Sequence, residues 1–216
     1  MAGTIAVIDY GVNNLASVYN AFTHLGHPVR LVDRPSGLSN ATGVVLPGVG
    51  SFDRALDALH RRDFVRTLGA MIDAEVPLLG ICLGMQLLCA TSAESHRGAE
   101  GLGMFHGELH RFGRGMKVPH MGWNRVQTMG HEALFVGLPA DPYFYFVHSY
   151  YFDANADPGA VVGTCRYGET KFAAILARGN VLGTQFHPEK SGVVGLRFLD
   201  NYARGILAGE GTGGLI

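Results

Sequence analysis

Short apolar runs and helical stripes alternate through the first part of the chain. Thr4 to Tyr10 is a short apolar run that ends around Asp9 and predicts a buried strand. Leu15, Val18, Tyr19, Phe22 and Leu25 then recur at helical spacing up to Gly26. Val29 to Val32 predicts a second strand and Gly43 to Leu46 a third, followed by a loop over Pro47 to Gly50. Ser51 stands where it can cap a helix running toward Ile72, with a break near Arg61, Arg62 and Asp63. The apolar lead-in Val76 to Leu79 runs into Cys82, and a further helix is expected from there to about Ala90, carrying Cys89. Strand and helix in alternation predict a parallel sheet covered on both faces, with functional groups at the carboxyl ends of its strands.

Beyond Ser92 the pattern changes. Ser92 to Gly107 is rich in glycine and polar residues and reads as a surface excursion. Pro142 to Asp153 is dominated by aromatics, and Ala160 to Cys165, Phe172 to Ala177 and Val181 to Gln185 are short runs divided by turn residues. These predict antiparallel strands at the rim of the same sheet. A last helix spans about Val193 to Leu207, with Val194, Phe198, Tyr202 and Ile206 on one stripe. The expectation is an α/β fold: a single three-layer domain over residues 1–208 with a mixed, largely parallel central sheet, and a flexible tail over 209–216.

Composition narrows the function classes. With 47% hydrophobic and 16% charged residues the chain is not disordered. The net charge is −1 and the lysines and arginines are scattered, so no basic stripe argues for nucleic acid. No apolar run approaches the ~20 residues of a membrane span, and the start lacks the basic residues of a signal peptide. Three cysteines, an odd number in a chain of this size, suit a reducing cytoplasm. The ten histidines are dispersed and no pair has zinc-site spacing, so neither a metal nor another cofactor is expected.

The densest chemical signal is Gly80-Ile81-Cys82-Leu83-Gly84, at the junction of the fourth strand and its helix. A strand turning sharply into a helix around one central residue is a nucleophile elbow, and flanking glycines let its backbone segments approach closely. The helix start favours a thiolate at Cys82 over a thiol. A base for it stands far downstream in Gln185-Phe186-His187-Pro188-Glu189. His187 and Glu189 are two apart, so on extended backbone they share a face, and the carboxylate can orient the imidazole. By themselves these two also fit a strand-end histidine beside a solvated glutamate. An oxyanion formed at Cys82 would meet the backbone N–H of Leu83, with a second donor from the glycine-rich Pro47-Gly48-Val49-Gly50.

In their order and spacing, these three motifs resemble class I (triad-type) glutamine amidotransferases, which hydrolyse glutamine through a cysteinyl thioester and deliver ammonia to a second active site. The resemblance implies Cys82 as nucleophile, His187 as general base and acid, and Glu189 as the residue orienting His187. It places the oxyanion donors on the backbone of Val49 and Leu83, and substrate contacts at Gly48, Gly50, Gln86 and Ser149. Within that family, Asp9-Tyr10-Gly11-Val12-Asn13-Asn14-Leu15, Lys117-Val118-Pro119-His120-Met121-Gly122-Trp123-Asn124 and the aromatic run Tyr145 to Tyr151 are similar to the glutaminase subunits of imidazole glycerol phosphate synthases. That similarity implies L-glutamine as substrate and a cyclase/synthase subunit as heterodimeric partner. Asn14, Lys117, His120, Met121 and Trp123 would then face the partner, although Met121 and Trp123 read as ordinary core on their own. Asn13 departs from the glycine usual in the family. A glutaminase subunit of another biosynthetic synthase, or a stand-alone cysteine hydrolase of related fold, are the alternative readings. The mobile Gly48–Gly50 backbone further predicts an oxyanion donor that aligns only when the partner binds, leaving the isolated chain nearly idle.

Overall fold

The computed structural model describes residues 3–11 and 14–207. Its centre is an eight-stranded sheet in the order β2-β1-β3-β4-β13-β12-β11-β8. Four strands come from the alternating first part of the chain: β1 (Ile5–Ile8), β2 (Val29–Val32), β3 (Gly43–Gly48) and β4 (Leu78–Cys82). Between them lie α1 (Leu15–His24), α2 (Phe52–Arg61) and α3 (Phe64–Asp73). β1 pairs in parallel with β2 and β3, and β4 with β3. β1, β3 and β4 are short, apolar and buried as a covered parallel sheet requires, whereas β2 at the edge carries Arg30 and is only partly buried.

The side chains of β1 alternate between two apolar layers. Ile5 and Val7 join Phe22 of α1 on one face, while Ala6 and Ile8 join Phe52 and Leu56 of α2 on the other. The break predicted near Arg61–Asp63 is present, with Asp63 in the left-handed conformation (φ 58°) between α2 and α3. Ser51, expected to cap α2 with its hydroxyl, makes no such bond. The carboxylate of Glu94 accepts from the Phe52 N–H at 2.9 Å instead, so a charged acceptor from a distant segment meets the helix start.

After Cys82 the expected helix is short. α4 covers only Leu83–Leu88, and Cys89 opens the strand β5 (Cys89–Ser92) instead of lying on the helix. The apolar run Leu87-Leu88-Cys89 crosses the boundary and hides this change, because a buried helix end and a buried strand start carry the same composition. β5 pairs in parallel with β6 (Phe105–Arg111), which closes the polar excursion before it. Beyond it come β7 (His120–Arg125), β8 (Gln127–Thr128), β9 (Tyr143–His148) and β10 (Tyr150–Phe152).

The aromatic run 142–153 departs from the expectation of strands within the main sheet. It divides at Ser149: β9 pairs with β7 in a two-stranded sheet, and β10 joins β6 and β5 in a three-stranded one. The later runs do extend the main sheet, as β11 (Val161–Tyr167), β12 (Thr170–Arg178) and β13 (Val181–Thr184). β12 is antiparallel to both its neighbours, but β13 lies parallel to β4. The parallel pairing brings the end of β13 alongside the end of β4. The last helix, α5 (Gly192–Leu207), packs Phe198 and Tyr202 onto the same face as α1. Among the described residues no helix is long and apolar enough to cross a membrane. The predicted tail over 209–216, and Asn13, lie outside the described residues.

Candidate active site

β3, β4 and β13 end side by side, and the candidate residues gather there. Register pairs Gly48 with Cys82 and Thr184 with Ile81, so the Pro47–Gly50 segment, the elbow and the His187 segment leave the sheet at one edge. Pro47 and Gly48 belong to β3 itself, leaving Val49 and Gly50 as the turn, with Gly50 at φ 110°.

Cys82 carries the backbone signature of an elbow: φ 54° and ψ −107°, a conformation that costs a non-glycine residue on the order of 1–3 kcal/mol. Its flanking glycines are required by contact. A Cβ on Gly84 would lie 1.8 Å from the Leu46 carbonyl oxygen, and one on Gly80 would lie 2.7 Å from Leu88 and 2.8 Å from the Gly84 backbone. The helix after Cys82 has only six residues, so its dipole contributes less at the sulfur than the longer predicted helix would.

His187 is fully buried, and both of its backbone polar groups are held. Its N–H donates to the Tyr145 carbonyl at 2.9 Å, and its carbonyl accepts from the Ser191 hydroxyl at 2.6 Å. Nδ1 pairs with Glu189 Oε1 at 2.7 Å, and both side chains are shut off from solvent. The carboxylate fixes Nδ1 as the protonated nitrogen and leaves Nε2 free for chemistry. Nε2 is buried with no hydrogen-bonding partner in the resting geometry. Burial disfavours the imidazolium, but the nearby Cys82 sulfur and Glu189 together outweigh it and raise the His187 pKa above the ordinary imidazole range. The protonated imidazole is thereby favoured.

Cys82, Leu83, Val49, Gly50, Gln86 and Ser149 line one cavity of about 330 Å³, a volume suited to a single amino acid. Gly48 lies beneath it, where a Cβ would meet the Tyr10 hydroxyl at 2.8 Å and Leu83 at 2.9 Å. That hydroxyl donates to the Pro47 carbonyl at 2.9 Å and so ties β1 to the segment carrying Val49.

The residues predicted to meet a partner separate in the structure. Met121 and Trp123 are exposed, at 61% and 55%, and Lys117 is exposed as well. His120 is buried: it stacks on Tyr167 and Phe146, and its Nδ1 meets His148 Nε2 at 3.1 Å. Burial depresses its pKa to about 4. Asn14 turns inward, its amide donating to Glu189 Oε1 at 2.7 Å.

Glu94 was not legible as a site residue. It lines the cavity from the segment after β5, with nothing in its local sequence to mark it. It is the one carboxylate among the lining residues, which also include Pro119 and the stretch Val147 to Tyr150.

The sequence pattern described as "Glutamine amidotransferase class-I" matches residues 6–202. The imidazole glycerol phosphate synthase subunit HisH of Moorella thermoacetica is 48% identical over 198 residues, covering 92% of this chain and 93% of that protein. The subunit of the same name from Thermosynechococcus vestitus is 44% identical over 205 residues, covering 93% and 96%. The solved structure of PurLQS from Thermotoga maritima shares the fold, with a TM-score of 0.71 at 18% identity over 97% of this chain and 100% of that one. A glutamine amidotransferase of known structure from the same organism does so too, with a TM-score of 0.64 at 20% identity over 97% and 86%. With the family pattern spanning residues 6–202 around a cysteine elbow, the chain belongs to the class I glutamine amidotransferases.

Proposed function

We propose that this chain is the glutaminase subunit of an imidazole glycerol phosphate synthase of histidine biosynthesis. It hydrolyses L-glutamine to glutamate and ammonia, and the ammonia passes to a cyclase partner in a heterodimer. The observation that carries this reading is the buried His187–Glu189 pair, with Cys82 close enough to raise the imidazole pKa and lining a cavity sized for one amino acid. Relatives of 44–48% identity that bear the name of this subunit support the choice of synthase.

In the proposed cycle His187 Nε2 takes the Cys82 proton, and the thiolate attacks the side-chain amide carbon of glutamine. The developing oxyanion faces the Leu83 N–H and the Val49 segment. The tetrahedral intermediate collapses as His187 protonates the departing nitrogen, which leaves as ammonia with a cysteinyl thioester behind it. His187 then takes a proton from water, the hydroxide adds to the thioester, and the carbon–sulfur bond breaks to release glutamate. Glu189 holds the imidazole in the required tautomer throughout. Glu94 supplies the charge complement to the substrate ammonium, and Gln86 offers its Oε1, since its NH2 is taken up by Tyr150 and Gln185.

The partner takes the ammonia and reacts it with a phosphoribulosyl aminoimidazole carboxamide nucleotide. The exposed Met121, Trp123 and Lys117 belong to the docking face in this reading. Three free, buried cysteines suit a reducing cytoplasm. Glutamate release measured with and without the cyclase subunit and its nucleotide tests the assignment. A rate raised by roughly two orders of magnitude or more on adding both is expected, within the range that oxyanion-donor alignment can supply. Equal rates with and without them would place the chain with the stand-alone hydrolases.

A further inference from the structure

Behind the nucleophile lies a polar residue that the proposed cycle does not use, held by Gln86, which it does. Gln185 is fully buried, two residues before His187, and its Nε2 stands 3.8 Å from the Cys82 sulfur. Gln86 Nε2 meets Gln185 Oε1 at 3.1 Å and the Tyr150 carbonyl at 3.1 Å.

The direction of this chain follows from one acceptor. A carbonyl can only accept, so the Gln86 atom facing Tyr150 is its NH2 group. The same NH2 faces Gln185 and therefore meets that residue's oxygen. Gln185 then presents its own NH2 to the sulfur, because the opposite flip would set two donors against each other at Gln86. The Tyr150 carbonyl is itself anchored, accepting from His148 Nδ1 at 2.7 Å. The Gln185 backbone is pinned as well, its N–H donating to the Ala174 carbonyl at 2.9 Å.

We propose that Gln185 is a further catalytic residue, an N–H donor to the Cys82 sulfur that stabilises its anionic form, with Gln86 as the positioning residue that aims it. The inference rests on Cys82 being the nucleophile of the proposed cycle. A donor at the sulfur acts in the two states where charge resides there: the thiolate before attack, and the sulfur leaving as the carbon–sulfur bond of the thioester breaks. It transfers no proton, so His187 remains the base and acid. In the neutral thioester the contact is worth less, which favours return to the thiolate. The 3.8 Å separation belongs to the resting state, and such contacts shorten as charge develops.

The test is alkylation of Cys82 in the full-length chain by iodoacetamide, followed by peptide mass at about pH 7 and about pH 9.5. Gln185→Met keeps the volume and removes the donor. It is expected to alkylate about tenfold more slowly than wild type near pH 7, and at the wild-type rate or above near pH 9.5, where alkali supplies the thiolate. A wild-type rate near pH 7, or equal slowing at both pH values, overturns the proposal. Should Gln185→Met fail to fold, Gln86→Met decides the question: it leaves Gln185 in place but frees its amide to turn. A drop of several-fold near pH 7, recovered near pH 9.5, is expected, and no pH-dependent drop overturns the proposal. Because iodoacetamide reports on the sulfur without glutamine, a chain that alkylates as expected yet releases no glutamate even with its cyclase subunit and nucleotide would refute the glutaminase reading alone.

Discussion

The side-chain amide of Asn14 donates to Glu189 Oε1 at 2.7 Å, across 175 positions of sequence, and shares that oxygen with His187 Nδ1. Among the described residues Glu189 Oε2 has no partner, and these two donors hold the carboxylate in place. Asn14 sits at φ 79° at the start of α1, a conformation that asparagine tolerates better than most residues. Asn14→Ala is predicted to lower glutaminase kcat about tenfold, the loss of one charge-assisted hydrogen bond, with little change in KM. Steady-state kinetics on the complex checks this. An unchanged kcat would show that Glu189 needs no second donor.

Glu94 joins two functions, accepting from the Phe52 N–H at the start of α2 and lining the cavity. Glu94→Gln keeps a neutral acceptor for the helix but removes the charge. It is predicted to raise KM for glutamine about tenfold or more while lowering stability by less than ~1 kcal/mol. Glutamine titration together with a urea melt separates the two effects. A KM equal to wild type would place the substrate ammonium elsewhere.

Two glycines in helices make an internal control for the elbow. Gly84→Ala drives a Cβ to 1.8 Å from the Leu46 carbonyl oxygen, so β3 and α4 must separate. Destabilisation by more than ~4 kcal/mol is predicted, read as loss of soluble protein or a collapsed Tm. Gly69, within α3, has nothing within 4 Å of its Cβ position. Gly69→Ala is predicted to stabilise by ~0.5–1 kcal/mol through helix propensity and reduced freedom of the unfolded chain.

The buried histidine pair predicts sensitivity to acid. Burial lowers His148 to about 3, with the neighbouring His120 and His187 adding to the effect against its bond to the Tyr150 carbonyl, and burial lowers His120 to about 4. Both stay neutral in the folded protein while the unfolded chain protonates them below about pH 6.5. The unfolded state then binds more protons, so stability is full above that pH and falls as pH drops toward about 4 and about 3. Each histidine contributes a slope of up to ~1.4 kcal/mol per pH unit. Urea midpoints at about pH 7.5 and about pH 5 should differ clearly in wild type and less in His120→Gln. Equal midpoints in wild type would contradict the buried neutral pair.

What was legible in the sequence follows the range of the forces involved. The alternation up to β4 could be read because buried parallel strands are continuous apolar runs. The elbow could be read because its glycines bracket the turn itself, although the contact that requires Gly84 comes from Leu46 of β3. The end of α4 at Leu88 was hidden, since Leu87, Leu88 and Cys89 are all apolar and buried across the boundary. The start of β6 was hidden for the opposite reason: its exposed His106 and its Gly107 read as loop. The cap on α2 went to Glu94 instead of the local Ser51, because tertiary structure brought a carboxylate to the helix start. Asn14 and His120, expected at a partner surface, are claimed by Glu189 and His148 through contacts no local pattern records. Gln185 stood inside the recognised motif, yet its purpose depends on Gln86, 99 positions away.

The proposed cycle depends on Cys82 releasing ammonia from glutamine for use by a partner. Product formation by the complex of this chain with its cyclase subunit, supplied with either glutamine or ammonium, reads this directly in wild type and Cys82→Ala. Cys82→Ala is expected to lose glutamine-dependent product and to keep the wild-type rate with ammonium. Glutamine-dependent product that persists in Cys82→Ala would contradict the role of this thiol.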